Sequence, residues 1–183
     1  MDVADLLAEE ACSCLLHGCD VKDKKYQSNK GHDVILNKIV ALYFTSNWCE
    51  PCHTFTRVLS QTYQLVEKRA SEIVVINVPI ESDVDEARYC FKTMPDTWYT
   101  ISHDNQLVKV LISKFNIQTV PKLVVCKGDG SVITYRGRSE VESKLALAVY
   151  NWLDAAKPKP ATKQVINGFE IDDVPVEETA NDK

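Results

Sequence analysis

The chain has 183 residues, 45% hydrophobic and 26% charged, which excludes wholesale disorder or collagen and gives one domain long enough to hold a core without disulfide or metal staples. Its 21 Lys and Arg against 26 Asp and Glu leave a net charge of −5, so no broad basic field exists to hold nucleic acid. Seven cysteines are too few for a disulfide-dense scaffold, and the number is odd.

Met1-Asp2-Val3-Ala4-Asp5 carries acid where a secretory signal carries Lys or Arg. Asp2 excludes N-myristoylation, and Asn181-Asp182-Lys183 is no lipidation or retention signal. The longest strongly apolar run, Ile39–Phe44, is far short of the ~20 residues that span a bilayer. The expectation is a soluble cytoplasmic protein, with the nucleus as a second compartment and no membrane contact. In that reducing setting cysteines stay mostly free, and a special spacing signals redox catalysis or metal binding.

In chain order, Val3, Leu6, Leu7, Ala11 and Leu15 predict a short helix over residues 2–16. Residues 20–33, with Lys22, Lys24, Lys25 and Lys30 and Gly31, read as turns or a solvated loop. Lys38–Phe44 is short, β-branched and apolar throughout, as in a strand buried on both faces. Phe55, Leu59, Thr62 and Val66 then repeat at helical spacing, with Pro51 in the first turn and Lys68-Arg69 in the last. Ile73–Val78 is a second buried strand ended by Pro79. Ser82-Asp83 caps a helix running to about Lys92, stopped before Met94-Pro95.

Leu107, Leu111 and Phe115 mark a helix over residues 105–115. Leu123–Cys126, the turn Lys127-Gly128-Asp129-Gly130 and Val132–Tyr135 predict a hairpin. Ser139 and Glu142 form a capping box for one last helix with the stripe Val141, Leu145, Val149 and Trp152. Pro158 and Pro160 end it, and the acid- and proline-rich residues 156–183 read as a flexible tail. The order of elements argues for an α/β mixed sheet with helices on both faces.

Chemistry concentrates at the first strand-to-helix junction, Trp48-Cys49-Glu50-Pro51-Cys52. Two cysteines three apart at a helix start can close a small disulfide ring, or leave the first thiol exposed while the second turns inward. The helix N-terminus favours a negative sulfur, which makes Cys49 the nucleophile and Cys52 the resolving thiol. Pro51 stiffens the turn between them.

This arrangement resembles the thioredoxin superfamily, whose signature is Trp-Cys-x-x-Cys after a central strand. That family also places a cis-proline opposite the cysteines, and Val120-Pro121 stands in its position. The likeness spans residues 14–155, leaving 1–13 as a lead and 156–183 as a tail. It sharpens to the tryparedoxin and nucleoredoxin branch, and most to the nucleoredoxin-like proteins, the second type in particular. The matching pieces are Lys38–Phe44, Phe55-Thr56, Phe115–Leu123, Val132–Thr134 and Gly137-Arg138.

The resemblance implies a thioredoxin-like α/β fold with a central mixed sheet. An insertion between the Cys-x-x-Cys helix and the cis-proline enlarges it, since 68 residues separate Cys52 from Pro121. Tyr43 takes the position where thioredoxins carry a buried Asp that assists proton transfer. In the family, the peptide before the cis-proline offers backbone groups to an extended substrate segment, a role that falls to Val120. Trp48 would form a substrate-facing rim and Trp98 would pack in the core.

Glu50 departs from the Gly or Pro usual between the cysteines. Its charge opposes a thiolate at Cys49, while a protonated His53 favours one, so Glu50, Pro51 and His53 are candidate tuning residues. Two other chemistries fit the motif less well. A zinc site needs four ligands, and Cys12, Cys14 and Cys19 stand at no standard spacing from residues 49–52. Cys49-Glu50-Pro51-Cys52-His53 is formally a haem-attachment sequence with Met94 as a conceivable distal ligand, but a strand precedes it and no export signal does.

Neither metal nor cofactor is expected, because the sulfurs themselves carry the electrons. Cys12, Cys14, Cys19, Cys90 and Cys126 read as buried or incidental thiols, with a regulatory Cys12–Cys14 disulfide as the alternative for that pair. His17, His32 and His103 read as surface residues. The implied activity is reduction of protein disulfides, with regeneration by an upstream thiol reductant. The rival is a redox-responsive binding protein of the nucleoredoxin-like kind, linked to sensory-cell maintenance, in which the pair is a switch with little turnover.

Overall fold

The computed structural model describes residues 15–81, 83–158, 164–166 and 169–171. Most of the helix expected over residues 2–16, and the pair Cys12 and Cys14, lie outside them. So does most of the expected tail, within which β8 (Gln164–Ile166) pairs antiparallel with β9 (Phe169–Ile171).

The first element differs from expectation. Residues 20–30 form a hairpin of β1 (Asp20–Lys22) and β2 (Ser28–Lys30) rather than a loop. Its polar surface hid the strands, which are three residues long and bury Val21 alone on one side. The Asp23 carboxylate closes the turn by accepting from the Lys25 and Gln27 amides at 2.9 Å each. Lys24 is not a solvated side chain either. Its ammonium donates to the main-chain carbonyls of Phe91 and Met94.

After a short helix α1 (Gly31–Ile35) comes β3 (Ile39–Thr45), all seven residues buried, as a run apolar at every position requires. Helix α2 (Glu50–Leu65) comes next, burying Cys52, Phe55, Leu59 and Thr62. Lys68 and Arg69 fall outside its last turn, in a 3-10 segment over Glu67–Glu72 where Arg69 pairs with Glu72. β4 (Ile73–Pro79) is likewise fully buried and takes in Pro79 as its last residue.

In α3 (Val84–Lys92) the Asp83 carboxylate caps the helix by accepting from the Asp85 and Glu86 amides. Two-residue β5 (Tyr99–Thr100) leads to α4 (Gln106–Lys114), capped by Asn105. β6 (Lys122–Lys127) and β7 (Val132–Thr134) make the expected hairpin, with Gly130 at φ 86° in its turn.

The single last helix is two, α5 (Gly137–Lys144) and α6 (Ala146–Ala156), broken at Leu145. Leu145 adopts φ 48°, ψ −126° and is 45% exposed, so it leaves the apolar stripe. Ser139 and Glu142 form no capping box. The Ser139 hydroxyl donates to the Arg136 carbonyl, and Glu142 pairs with Arg138. Gly137 lets α5 start against β6, because a Cβ there would sit 2.9 Å from the Leu123 carbonyl oxygen.

The seven main strands form one mixed sheet in the order β2-β1-β5-β4-β3-β6-β7. β4 lies parallel to β3 and β5, while β6 runs antiparallel to β3. Residues of β3 alternate between two cores. Ile39, Ala41 and Tyr43 pack with residues of α2, α3, α5 and α6. Val40, Leu42 and Phe44 pack with α1 and α4. The fold is thioredoxin-like, and its central strand delivers the chain directly into the Cys49 turn.

Candidate functional site

β3 ends at Thr45, and the next residues turn sharply into α2. The Cys49 amide donates to the Ser46 carbonyl at 3.3 Å. Cys49 is the N-cap of α2, and its sulfur accepts from the Cys52 amide at 3.2 Å. Pro51 occupies the first turn, where its missing N–H leaves no carbonyl unpaired. A sulfur so placed faces the free amides and positive dipole of the helix start, which stabilise negative charge.

Cys49 and Cys52 are joined as a disulfide, S–S 2.21 Å, with Cα atoms 5.2 Å apart. Both are buried in this oxidised state, at 4% and 1% exposure, so the first sulfur does not stand out in solvent. Trp48 beside it is 69% exposed.

The peptide Val120-Pro121 is cis. Because β6 is antiparallel to β3 with Lys122 opposite Phe44, the preceding residues 120 and 121 fall beside the chain leaving β3. Trp48 and Val120 share a small pocket of about 140 Å³ with Ile80, Ile112 and Ile117. Sequence reasoning misses these three isoleucines. Only Ile117 carries a local signal, since it lies in the Phe115–Leu123 stretch.

His53 sits one turn into α2 with its Nε2 2.7 Å from the Asn47 carbonyl, so Nε2 carries a hydrogen and donates. Glu50 is exposed in the first turn. Tyr43 is wholly buried beneath them, and its hydroxyl donates to the Cys52 carbonyl at 2.9 Å. Trp98 is buried edge-on to Tyr43, in the core as expected.

Residues 37–132 match a family model described as thioredoxin-like. The chain belongs to the thioredoxin-like family. Among curated relatives, nucleoredoxin of Mus musculus is 30% identical over 122 residues, covering 66% of this chain and 27% of that protein. Nucleoredoxin-like protein 1 of Homo sapiens is 27% identical over 126 residues, 66% of this chain and 59% of its own length. The chain therefore spans under a third of that nucleoredoxin's length.

Among solved structures, thioredoxin from Wuchereria bancrofti shares 32% identity with a TM-score of 0.68, covering 78% of this chain and 99% of that one. Tryparedoxin I from Leishmania major shares the fold at 24% identity and a TM-score of 0.62, covering 77% and 90%.

In this thioredoxin-like chain the remaining described cysteines are free and buried. Burial pushes the Cys126 thiol up to about 12. Burial, reinforced by the Glu81 charge, pushes Cys90 up to about 11. Burial also raises Cys19, with Asp20 adding to it. All three stay protonated thiols near neutral pH, the unreactive form of the group. Among the described residues no three His, Cys, Asp or Glu side chains are grouped to hold a metal, and no helix is long and apolar enough to cross a membrane.

Proposed function

We propose that the chain is a protein-disulfide reductase working through the Cys49–Cys52 couple. The observation that carries this reading is the disulfide itself, set at the N-terminus of α2 at the end of a buried central strand. The exposed Trp48 and the cis Val120-Pro121 peptide beside it support the same reading.

In the reduced protein Cys49 is the thiolate, stabilised by the helix start. It attacks one sulfur of a target disulfide, and the other target sulfur leaves and takes a proton. Cys52 then gives up its proton and attacks the Cys49 sulfur, releasing the second target thiol. Two electrons pass from the dithiol to the target, which takes one proton released by Cys52 and one from solvent, and Cys49–Cys52 ends oxidised. An upstream thiol reductant returns them, so no further cofactor enters. An extended substrate segment pairs with the Val120 backbone, and Trp48 covers the exchanging sulfurs. Glu50, Pro51 and His53 tune the pair. The setting is the cytoplasm, with the nucleus second, and the kind is nucleoredoxin-like.

Wild-type protein is expected to reduce insulin with dithiothreitol as donor, and Cys49→Ser to abolish this. Cys52→Ser is expected to accumulate mixed disulfides visible on non-reducing gels. Inert wild-type protein together with an empty trap overturns the reductase reading. Partner retention by the Cys49→Ser/Cys52→Ser double variant would then favour the redox-responsive binding reading.

A further inference from the structure

Glu81 lies 32 residues from Cys49 in sequence, between β4 and α3, yet it reaches the redox turn. Its Oε1 accepts the hydrogen bond donated by the Asn47 amide. The Asn47 carbonyl accepts from His53 Nε2 at 2.7 Å. Asn47, next to Trp48 and Cys49, is thus gripped at both main-chain groups, by α2 on one side and by the insertion on the other. The second Glu81 oxygen, Oε2, is buried with no hydrogen-bond partner among the described residues. Ser46 Oγ, in the residue leading into this turn, is also buried with no hydrogen-bond partner among the described residues. The Ile80 amide donates to the Thr45 carbonyl at 2.8 Å, which holds Glu81 against that end of β3.

A carboxylate with one oxygen buried and unpaired carries a desolvation cost that mere packing does not explain. Its effect is already felt locally, since Glu81 adds to the resistance of the Cys90 thiol to ionisation. We infer that Glu81 is a positioning residue of the dithiol site. It holds the Asn47 amide, which sets the backbone presenting Trp48 and Cys49, and its negative charge opposes a thiolate at Cys49. The titratable and charged groups near that turn include Tyr43 from β3, Glu50, Cys52 and His53 from α2, Cys90 from α3, Lys122 at the start of β6 and Arg138 from α5. Of these and Glu81, only Glu81 is tied to the turn's own amide from outside the motif. The inference rests on the reading of Cys49 as the attacking sulfur.

The test is alkylation of the reduced full chain with iodoacetamide across pH, with labelling at Cys49 read by mass spectrometry. Glu81→Gln keeps an oxygen for the Asn47 amide but loses the charge, and should lower the labelling midpoint by about half a pH unit or more. Glu81→Ala loses both, so it should lower the midpoint, speed hydrogen exchange at the Asn47 amide, and slow insulin reduction by about tenfold. Glutamine should restore most of that rate. Glu67→Gln, a distant exposed carboxylate, should change none of these.

A Cys49 midpoint equal to wild type in both Glu81 variants overturns the inference, even if Glu81→Ala unfolds at lower urea. So does an unchanged Asn47 exchange rate in the alanine variant. Labelling and exchange need no reductase activity, so inert wild-type protein would sink the proposed function and leave this result readable.

Discussion

The Tyr43 hydroxyl donates to the Cys52 carbonyl at 2.9 Å and lies 2.9 Å from the Thr56 hydroxyl, tying the central strand to the first turns of the redox helix. Burial raises the Tyr43 pKa above its ordinary 10.0, so the group stays a neutral donor near neutral pH. Tyr43→Phe keeps the edge-to-face contacts with Phe55 and Trp98 and removes only the donor. Urea unfolding of the oxidised protein should show a loss of about 1 to 2 kcal/mol. Unchanged stability would mean that the bond is not sustained in solution.

The buried thiols set a response to alkaline pH. Cys90 and Cys126 ionise in the folded chain at about 11 and about 12, against an ordinary 9.0 when unfolded. Their contribution is therefore full below pH 9 and is lost as pH climbs toward those folded values. Each should reduce unfolding free energy by about 1.4 kcal/mol per pH unit within that window. Above pH 10 the buried Tyr43 and the half-buried Tyr26 and Tyr63, also raised, join them. Urea titrations of the protein with Cys126→Ala should show a shallower decline between pH 9 and 10 than wild type.

Lys24 acts as a C-terminal cap supplied from another element. Its ammonium satisfies the Phe91 and Met94 carbonyls, lies 5.5 Å from the Phe91 ring centre, and pairs with Asp96 at 3.8 Å. Lys24→Met keeps the stem over Phe91 and loses the donor. Stability should fall by about 1 to 2 kcal/mol, and amide exchange should quicken over residues 91–97. Insulin reduction should not change, since the lysine touches nothing in the Cys49 turn.

Much of the site is legible in the sequence because its signals are local. β3 announces itself by seven apolar or β-branched residues in a row, and Trp48-Cys49-Glu50-Pro51-Cys52 by spacing at a helix start. Val120-Pro121 is placed by the hairpin directly after it, whose turn residues are plain. The features that escape are joined only in space. Glu81 sits in a stretch whose acids read as caps and solvent-facing charge, and nothing nearby points to Asn47. Lys24 belongs to a lysine-rich run, and its two acceptors lie about seventy residues away. Ile80 and Ile112 meet Trp48 only once β4, α4 and the Cys49 turn come together at one end of the sheet.

Leu145 escapes for another reason, because helical periodicity continues through it while the backbone does not. At φ 48° and ψ −126° it holds a conformation suited to glycine, and its side chain is half exposed. Leu145→Gly should relieve more strain than the apolar contact it forfeits, raising stability by about 1 kcal/mol. A lower melting temperature for this variant would show that the leucine side chain matters more than the backbone.

On the proposed reductase reading, the near-complete enclosure of the oxidised cysteines beside a freely exposed Trp48 bears on how the pair is returned to the dithiol. Sulfur–sulfur exchange needs a collinear approach, and a pair this enclosed leaves few directions open to it. A donor that first settles on the indole and the Val120 edge arrives already aimed, whereas a small thiol striking at random mostly meets carbon. Selection among reductants would then lie in the angle of arrival, before any difference in redox potential is consulted.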